Sequence, residues 1–249
     1  MDNSLLVSLS QQLAAYRSMD VIANNLANAS TPGFKREAAK FEEYIAQMKP
    51  SDTQQGPQSV SFVKDAGIMR DTSEGDIQTT GAPFDLAIKG NAYFTVQTPQ
   101  GTRYTRNGHF TLDGSGQLVT SDGNPVQGEG GAITITPDDG AVQIAADGTV
   151  SSIINGQPNQ IGKIKLVDFG DPAALTKEGD SLYSTTQTAN DATGSTMKQG
   201  MLESSNVKPV VEISNMIQVM RSYEATSALA KSQEDLQSQA IDKLGQMPN

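Results

Sequence analysis

Long helix-forming segments stand at both ends of this chain, and the sequence between them has a different character. Residues 4–28 and 209–246 carry apolar side chains at steps of three and four, which places those side chains on one face of an α-helix. Short strand-like runs and glycine-rich turns fill the centre. The pattern predicts an α+β protein, with two long terminal helices forming a coiled-coil-like bundle and a central, mainly β domain of short strands and hairpins.

The apolar stripe of each terminal segment defines one helix face. The first stripe consists of Leu6, Leu9, Leu13, Tyr16, Met19, Ile22 and Leu26, and the second of Ile213, Met216, Ile217, Met220 and Tyr223. At ~1.5 Å per residue the second helix is about 55 Å long, which exceeds what a compact domain of this size needs. For a single amphipathic helix, packing on its own domain is the simpler explanation. Two such helices favour packing against neighbours instead.

Asp-Gly pairs mark the turns of the central region. They occur at 113–114, 122–123, 139–140 and 147–148, and Asp-Gly supplies the positive backbone angles that tight hairpins require. The polar stretches 49–57 and 185–200 are typical of extended connectors. The predicted division is therefore 1–35 for the N-terminal helix and its exit turn, 36–74 for a connector, 75–185 for the β domain, 186–208 for a second connector and 209–249 for the C-terminal helix.

Composition narrows the possible functions. A net charge of −10 opposes approach to nucleic acid, whose phosphates attract Lys and Arg. The absence of cysteine removes disulfides, thiolate metal sites and cysteine nucleophiles. No stretch approaches the ~18 apolar residues of a transmembrane helix, and residues 1–3 lack the basic region of a secretory signal. We expect no nucleic-acid partner, no membrane insertion and no cleaved signal peptide.

Motifs that carry chemistry are weak in this sequence. The single histidine, His109, has no Gly-x-Ser-x-Gly nucleophile elbow to accompany it. Residues 112–116 are faintly similar to a calcium loop, but the alternating oxygen ligands and closing Glu are missing, so a hairpin turn is the better interpretation. No phosphate-binding glycine loop is followed by Lys. We expect no catalytic residue, no cofactor and no metal, and thus a protein that is not an enzyme.

Three segments together carry a resemblance to a known family. The first is residues 20–35, with Ala23-Asn24-Asn25-Leu26-Ala27-Asn28 and then Thr31-Pro32-Gly33-Phe34-Lys35. The second is residues 75–94, continued by 104–108 and 118–123. The third is Leu202-Glu203-Ser204-Ser205-Asn206-Val207 with Met216-Ile217 and residues 221–225. In this order they resemble the flagellar axial proteins of the rod and hook. The opening residues 1–5 and the short link from Phe41 to Gly75 resemble a proximal-rod subunit most.

The resemblance implies a mechanism of assembly. In such proteins both terminal helices form an inner layer around a central channel, the β domain forms an outer layer, and copies contact head to tail in a helical tube that transmits torque. The implied partners are other rod subunits and the flagellar type III export apparatus, and the implied location is the basal-body rod that spans the periplasm. The expected subunit-interface residues are Leu9, Leu13, Tyr16, Ile22, Asn24, Asn25, Leu26, Asn28, Phe34, Ile213, Ile217, Met220 and Tyr223.

Three alternatives stay open at this point. A distal-rod subunit of the same family has similar motifs, and residues 221–225 are closer to its pattern. A β-rich hydrolase of the cell wall would need a pair of carboxylates across a cleft and would leave both helices unexplained. A binding module that trimerises through its helices predicts closed oligomers and a stricter heptad repeat than residues 209–246 show.

Overall fold

The computed structural model describes residues 3–48, 58–136, 139–154 and 157–245. Two long helices and many short antiparallel strands make it an α+β protein, as the sequence predicts. The chain forms two compact units. The first combines Met1–Ala27, Glu37–Arg70 and Lys208–Asn249, and the second combines Asn28–Arg36 and Asp71–Val207. Among the described residues, no helix is long and apolar enough to cross a membrane.

The first unit contains both helices and one long hairpin. Helix α1 spans Asn3–Ala27 and helix α2 spans Pro209–Gly245, within one residue of the predicted bounds. Pro209 stands in the first turn of α2, where its fixed φ suits the helix and its missing N–H costs nothing. Glu212 lies in the same turn, near the positive end of the helix dipole. Helix α1 contacts α2 and both strands of the hairpin.

The segment 36–74 differs from the predicted connector. Strands β1 (Glu37–Met48) and β2 (Gln58–Arg70) pair antiparallel along their whole described length, with one register shift between Lys40 and Phe41. The local sequence does not predict this strand, because β1 consists largely of Ala, Glu, Lys, Gln and Met, which favour helices. Pairing with β2 and packing on α1 decide the outcome. The polar stretch 49–57, predicted to be extended, lies outside the described residues.

The second unit is built from short strands, all of them paired antiparallel. Their bounds are β3 Ile77–Thr79, β4 Leu86–Lys89, β5 Tyr93–Thr98, β6 Gly101–Thr105, β7 Phe110–Leu112, β8 Leu118–Thr120, β9 Gln127–Gly128, β10 Gly131–Ala132, β11 Ala141–Ile144, β12 Thr149–Ile154, β13 Gln157–Lys163, β14 Leu166–Asp168, β15 Thr176–Lys177, β16 Leu182–Ser184, β17 Asn190–Asp191, β18 Thr196–Gln199 and β19 Met201–Glu203. The largest sheet has the order β15-β16-β6-β5-β14-β17.

Two apolar clusters hold the second unit together. The larger surrounds Leu86, Phe94 and Leu118, which are fully buried, and Phe94 packs edge-to-face on Phe110 with ring centroids 5.0 Å apart. The smaller gathers the aromatic rings of Tyr93, Phe169 and Tyr183 on the six-stranded sheet. Together these clusters form a core that polar hairpin turns surround.

The turns of this unit follow the predicted Asp-Gly positions. Asp113 and Gly114 connect β7 to β8, where the Asp113 carboxylate accepts hydrogen bonds from the Ser115 and Gln117 amides, so the segment is a hairpin turn. Asp147 and Gly148 likewise precede β12 in the β11–β12 hairpin. The stretch 185–200 differs from prediction: β18 pairs with β4, and Met197 is buried in the larger cluster.

Candidate assembly interface

Apolar side chains stand exposed on one face of each helix of the first unit. Leu9, Leu13 and Tyr16 of α1 are 51%, 63% and 60% exposed, and Ile213, Ile217 and Met220 of α2 are each nearly half exposed. Steps of four and three separate the residues within each set, so each set forms a stripe along its helix. We call these six residues the helix stripes. Contiguous exposed apolar patches are typical of interaction sites, so the stripes remain the predicted contact surface.

The structure buries three of the other predicted interface residues. Ile22 and Phe34 are among the buried apolar side chains, and Asn25 is fully buried. Asn24 is exposed, whereas Leu26, Asn28 and Tyr223 are half-buried. The predicted set therefore divides into the six exposed residues of the helix stripes, three buried residues, three half-buried residues and the exposed Asn24. Their contacts with other subunits stay a prediction.

Asn25 completes the hydrogen bonding of the open edge of β1. Its Oδ1 accepts from the Glu37 amide at 2.9 Å, and its Nδ2 donates to the Glu37 carbonyl at 2.7 Å. The Asp71 amide donates to the Arg36 carbonyl at 2.8 Å. Because antiparallel pairs alternate, the amide and carbonyl of Glu37 then point away from β2. The side-chain amide of Asn25 thus takes the place of a neighbouring strand.

The same asparagine also reaches the first turn of α2. Its Nδ2 lies 3.3 Å from Glu212 Oε2, and Glu212 is fully buried. Glu37 turns its own carboxylate to Arg70, with Oε1 2.9 Å from Nη2. One side chain near the end of α1 therefore ties β1 and the start of α2 together within the first unit.

The exit turn after α1 is shaped by Gly33 and Phe34. Gly33 has φ of +69°, and its amide donates to the Glu203 carbonyl at 2.7 Å. A Cβ at this position would lie 2.4 Å from the backbone carbon of Arg106, so only glycine fits. Phe34 is buried in the second unit, where Lys177 Nζ lies 4.1 Å from the ring centroid. Phe34 thus anchors this turn inside the subunit.

Sequence reasoning missed three buried charged residues of the second unit. Lys35 and Arg106 both pair with Glu203 and are almost fully buried with it. Each belongs to one of the three segments that carry the family resemblance, and nothing else in the local pattern distinguishes it from a surface charge. One sequence signal exists for Lys35: it directly follows Gly33-Phe34, in a turn that must be tightly packed.

A groove lies between the two helices and the hairpin of the first unit. Its volume is about 360 Å³, and small side chains line it, among them Ala14, Ala15, Ser18, Ser222 and Thr226. Small residues let another helix or a large side chain approach closely. The surface of the first unit therefore has both the exposed helix stripes and this groove.

The single histidine pairs with one carboxylate. His109 Nδ1 lies 2.7 Å from Asp85 Oδ1, while the His109 side chain is half exposed. In the described ranges, no group of three or more His, Asp or Glu side chains is gathered as a metal ion would require.

Three family models match separate segments of the chain. Residues 5–35 match the family described as "Flagella basal body rod protein". Residues 87–152 match "Flagellar hook protein FlgE/F/G D1 domain", and residues 198–243 match "Flagellar basal body rod FlgEFG protein C-terminal". The first and third matches cover most of α1 and α2, and the second lies in the β unit.

Individual relatives extend over the whole chain. The FlgF rod protein of Caulobacter vibrioides is 42% identical over 250 residues, covering 99% of this chain and 100% of the relative. The FlgF protein of Mesorhizobium japonicum is 37% identical over 249 residues, covering 98% and 99%. The FlgG protein of Buchnera aphidicola subsp. Schizaphis graminum is 36% identical over 264 residues, covering 98% and 99%.

The lengths of these alignments separate the two kinds of rod protein. Both FlgF alignments span nearly the 249 residues of the chain, whereas the FlgG alignment extends over 264 positions and so needs more gaps. The predicted family is confirmed. The chain belongs to the flagellar basal-body rod proteins as a structural subunit, and FlgF is favoured over FlgG.

Proposed function

We propose that this chain is a proximal-rod subunit of the FlgF kind that assembles through its terminal helices into a helical tube. The tube encloses the export channel and transmits torque. The observation that carries the proposal is the exposure of the helix stripes on the two long helices of one unit. In this proposal α1 and α2 form a coiled-coil-like inner layer with neighbouring subunits, and the β unit belongs to the outer layer.

Burial of the helix stripes contributes part of the energy that association requires. Fully burying a large apolar side chain contributes roughly 1.5–3 kcal/mol. The six stripe residues are about half exposed, so covering them contributes on the order of 5 kcal/mol per subunit. A subunit in a helical tube contacts several copies, because a head-to-tail interface that does not close is repeated along the assembly.

The remaining predicted interface residues divide by burial. Asn24 is exposed, and Leu26, Asn28 and Tyr223 are half-buried, so we keep them as contacts between subunits. Ile22, Asn25 and Phe34 act from inside the subunit by fixing α1 and its exit turn. This assignment retains the predicted set but gives its buried members an indirect role.

The proposal extends to partners and location. Association with other rod components follows from the family, and we propose that the subunit reaches the rod through the type III export apparatus. The rod then spans the periplasm. Its role in this setting is mechanical and not enzymatic. The absence of cysteine suits passage as an unfolded chain.

Substitution of the helix stripes tests the proposal. Leu13→Glu with Ile217→Glu places two charges on surfaces that are already exposed, so the monomer keeps its thermal stability while rod assembly and swimming motility are lost. Leu112→Glu is the matched control, because Leu112 is an exposed apolar residue of β7 in the other unit. Normal assembly of the double variant would contradict the proposal.

Two further readouts separate the alternatives. Complementation of a strain that lacks FlgF, but not of one that lacks FlgG, is expected from a proximal-rod subunit. Sedimentation of concentrated wild-type protein is expected to show open, concentration-dependent growth. A closed trimer would favour the binding-module alternative.

A further inference from the structure

Inside the second unit, one carboxylate lies between two cations. Glu203 Oε1 is 2.6 Å from Lys35 Nζ, and Glu203 Oε2 is 2.8 Å from Arg106 Nη2 and 3.0 Å from Nε. The three side chains are at most 3% exposed. We call these residues the Glu203 cluster. With so little water nearby, each charge depends on its partners for compensation.

The other contacts of the Glu203 cluster are mostly with neutral backbone groups. Lys35 Nζ donates to the Ser73 carbonyl, and Arg106 Nη1 donates to the carbonyls of Gly90 and Ala92, each at 2.6 Å. The Gly75 amide donates to Glu203 Oε1 at 3.0 Å. Glu74 also attracts the Lys35 ammonium, but from an exposed position. Within the cluster, Glu203 supplies the negative charge for both cations.

The members of the Glu203 cluster come from distant parts of the chain. Glu203 is 168 residues from Lys35 and 97 residues from Arg106. The chain around Glu203 also joins the region of Lys35 to residues 71–79, because β19 pairs with β3 and the Asn206 side chain accepts from the Arg36 amide and donates to the Asp71 carbonyl. The two ends of the second unit are thus fastened together at this cluster.

We propose that the Glu203 cluster is a closing contact that makes folding of the second unit depend on the presence of both of its chain ends. Until Glu203 arrives, burial of Lys35 and Arg106 is strongly unfavourable, since removing one partner of a buried ion pair leaves an uncompensated charge. When the residues around 35 or after 200 cannot reach the rest of the second unit, that unit does not complete its folding.

This property suits a subunit that travels as an unfolded chain. Folding of the β unit is delayed until both ends have left a narrow channel, which prevents a half-exported chain from becoming too wide to move. That consequence rests on the proposed function, but the closing contact does not. It can be tested in dilute monomer, where assembly and export play no part.

Hydrogen exchange of full-length Glu203→Gln protein tests the proposal. Glutamine keeps the shape and one acceptor but removes the charge that faces both cations. We expect amide exchange in the core strands β4, β5 and β8 to accelerate at least about a hundred-fold, together with β3 and β19. Glu129→Gln is the matched control, because the Lys163–Glu129 pair has a similar 2.7 Å contact on the exposed surface. Its exchange should change by less than about twofold.

A second variant keeps the test decisive if Glu203→Gln does not fold. Lys35→Met in the Glu203→Gln background removes one uncompensated cation and should slow core exchange at least about tenfold relative to Glu203→Gln. Faster exchange limited to β3, β19 and residues 33–36, with an unchanged core, would overturn the proposal. The absence of any recovery in the double variant would overturn it too. The Leu13→Glu and Ile217→Glu variant should keep wild-type exchange here, which separates this proposal from the assembly function.

Discussion

Replacement of Asn25 by alanine should unfold the junction of α1, β1 and α2 while leaving the helix surface unchanged. The variant removes the acceptor of the Glu37 amide, the donor to the Glu37 carbonyl and the donor to Glu212. Each backbone group left buried without a partner costs ~1–3 kcal/mol. The two groups of Glu37 together cost roughly 2–6 kcal/mol, which is a large part of the 5–15 kcal/mol stability that is typical of a folded protein.

The neighbouring asparagine supplies the control. Asn24 precedes Asn25 on the same helix but is exposed, so Asn24→Ala should change the free energy of unfolding by less than about 0.5 kcal/mol. Urea denaturation followed by far-UV circular dichroism measures the difference, and hydrogen exchange of peptides from the end of α1 and the start of β1 locates it. Equal stability of the two variants would refute the argument that Asn25 replaces a strand.

An aspartate at position 25 tests the need for a donor at Nδ2. Asn25→Asp keeps the acceptor for the Glu37 amide but places a carboxyl oxygen against the Glu37 carbonyl and the Glu212 carboxylate. Those neighbours raise the pKa of the introduced carboxyl in the folded state, so the folded state binds its proton more tightly than the unfolded state. The stability of this variant should therefore fall as the pH rises above about 3.9, the ordinary pKa of an aspartate carboxyl. A stability that rises with pH relative to Asn25→Ala would show that the introduced carboxyl does not face the Glu37 carbonyl and the Glu212 carboxylate.

Two further substitutions test the second unit. Gly33→Ala should lower the free energy of unfolding far more than Gly123→Ala. Both positions have positive φ, but only a Cβ at Gly33 meets backbone atoms, those of Arg106. Equal thermal shifts would contradict the steric argument. Burial lowers the pKa of Lys35 below its ordinary 10.5, so the unfolded state binds more protons in the window below that value and stability should rise with pH there. Lys35→Met should lack this rise in urea midpoints measured from about pH 7 to about pH 10, and parallel curves would refute the assignment.

Local sequence pattern was enough to predict the helices. The 3.6-residue period of apolar side chains, together with Pro32 after the first helix and Pro209 at the start of the second, placed α1 and α2 within one residue of their observed bounds. The Asp-Gly pairs likewise predicted hairpin turns at 113–114 and 147–148. These features depend on neighbours a few residues away, which the sequence displays directly.

Strand β1 and the buried polar groups depend on partners that are distant in sequence. The composition of β1 favours a helix, and its strand conformation comes from pairing with β2 and packing on α1. Asn25 bonds to a residue 12 positions away and another 187 positions away. Helical spacing places Asn25 on one side of α1, but it does not say whether that side meets a neighbouring subunit or another part of the same chain.

The buried position of Asn25 restricts its side chain much more strictly than exposure restricts the residues of the helix stripes. A buried amide that must donate to one carbonyl and accept from one N–H can be replaced by few side chains. Ala removes both hydrogen bonds, and Asp replaces the donor by an acceptor. Leu13, at 63% exposure, can exchange with Met or Ile at nearly constant apolar area. The signature around residues 20–35 therefore contributes to the folding of the subunit, while in the proposed assembly the helix stripes select its neighbours. It follows that two rod proteins can share this signature almost throughout and still occupy different positions along one rod.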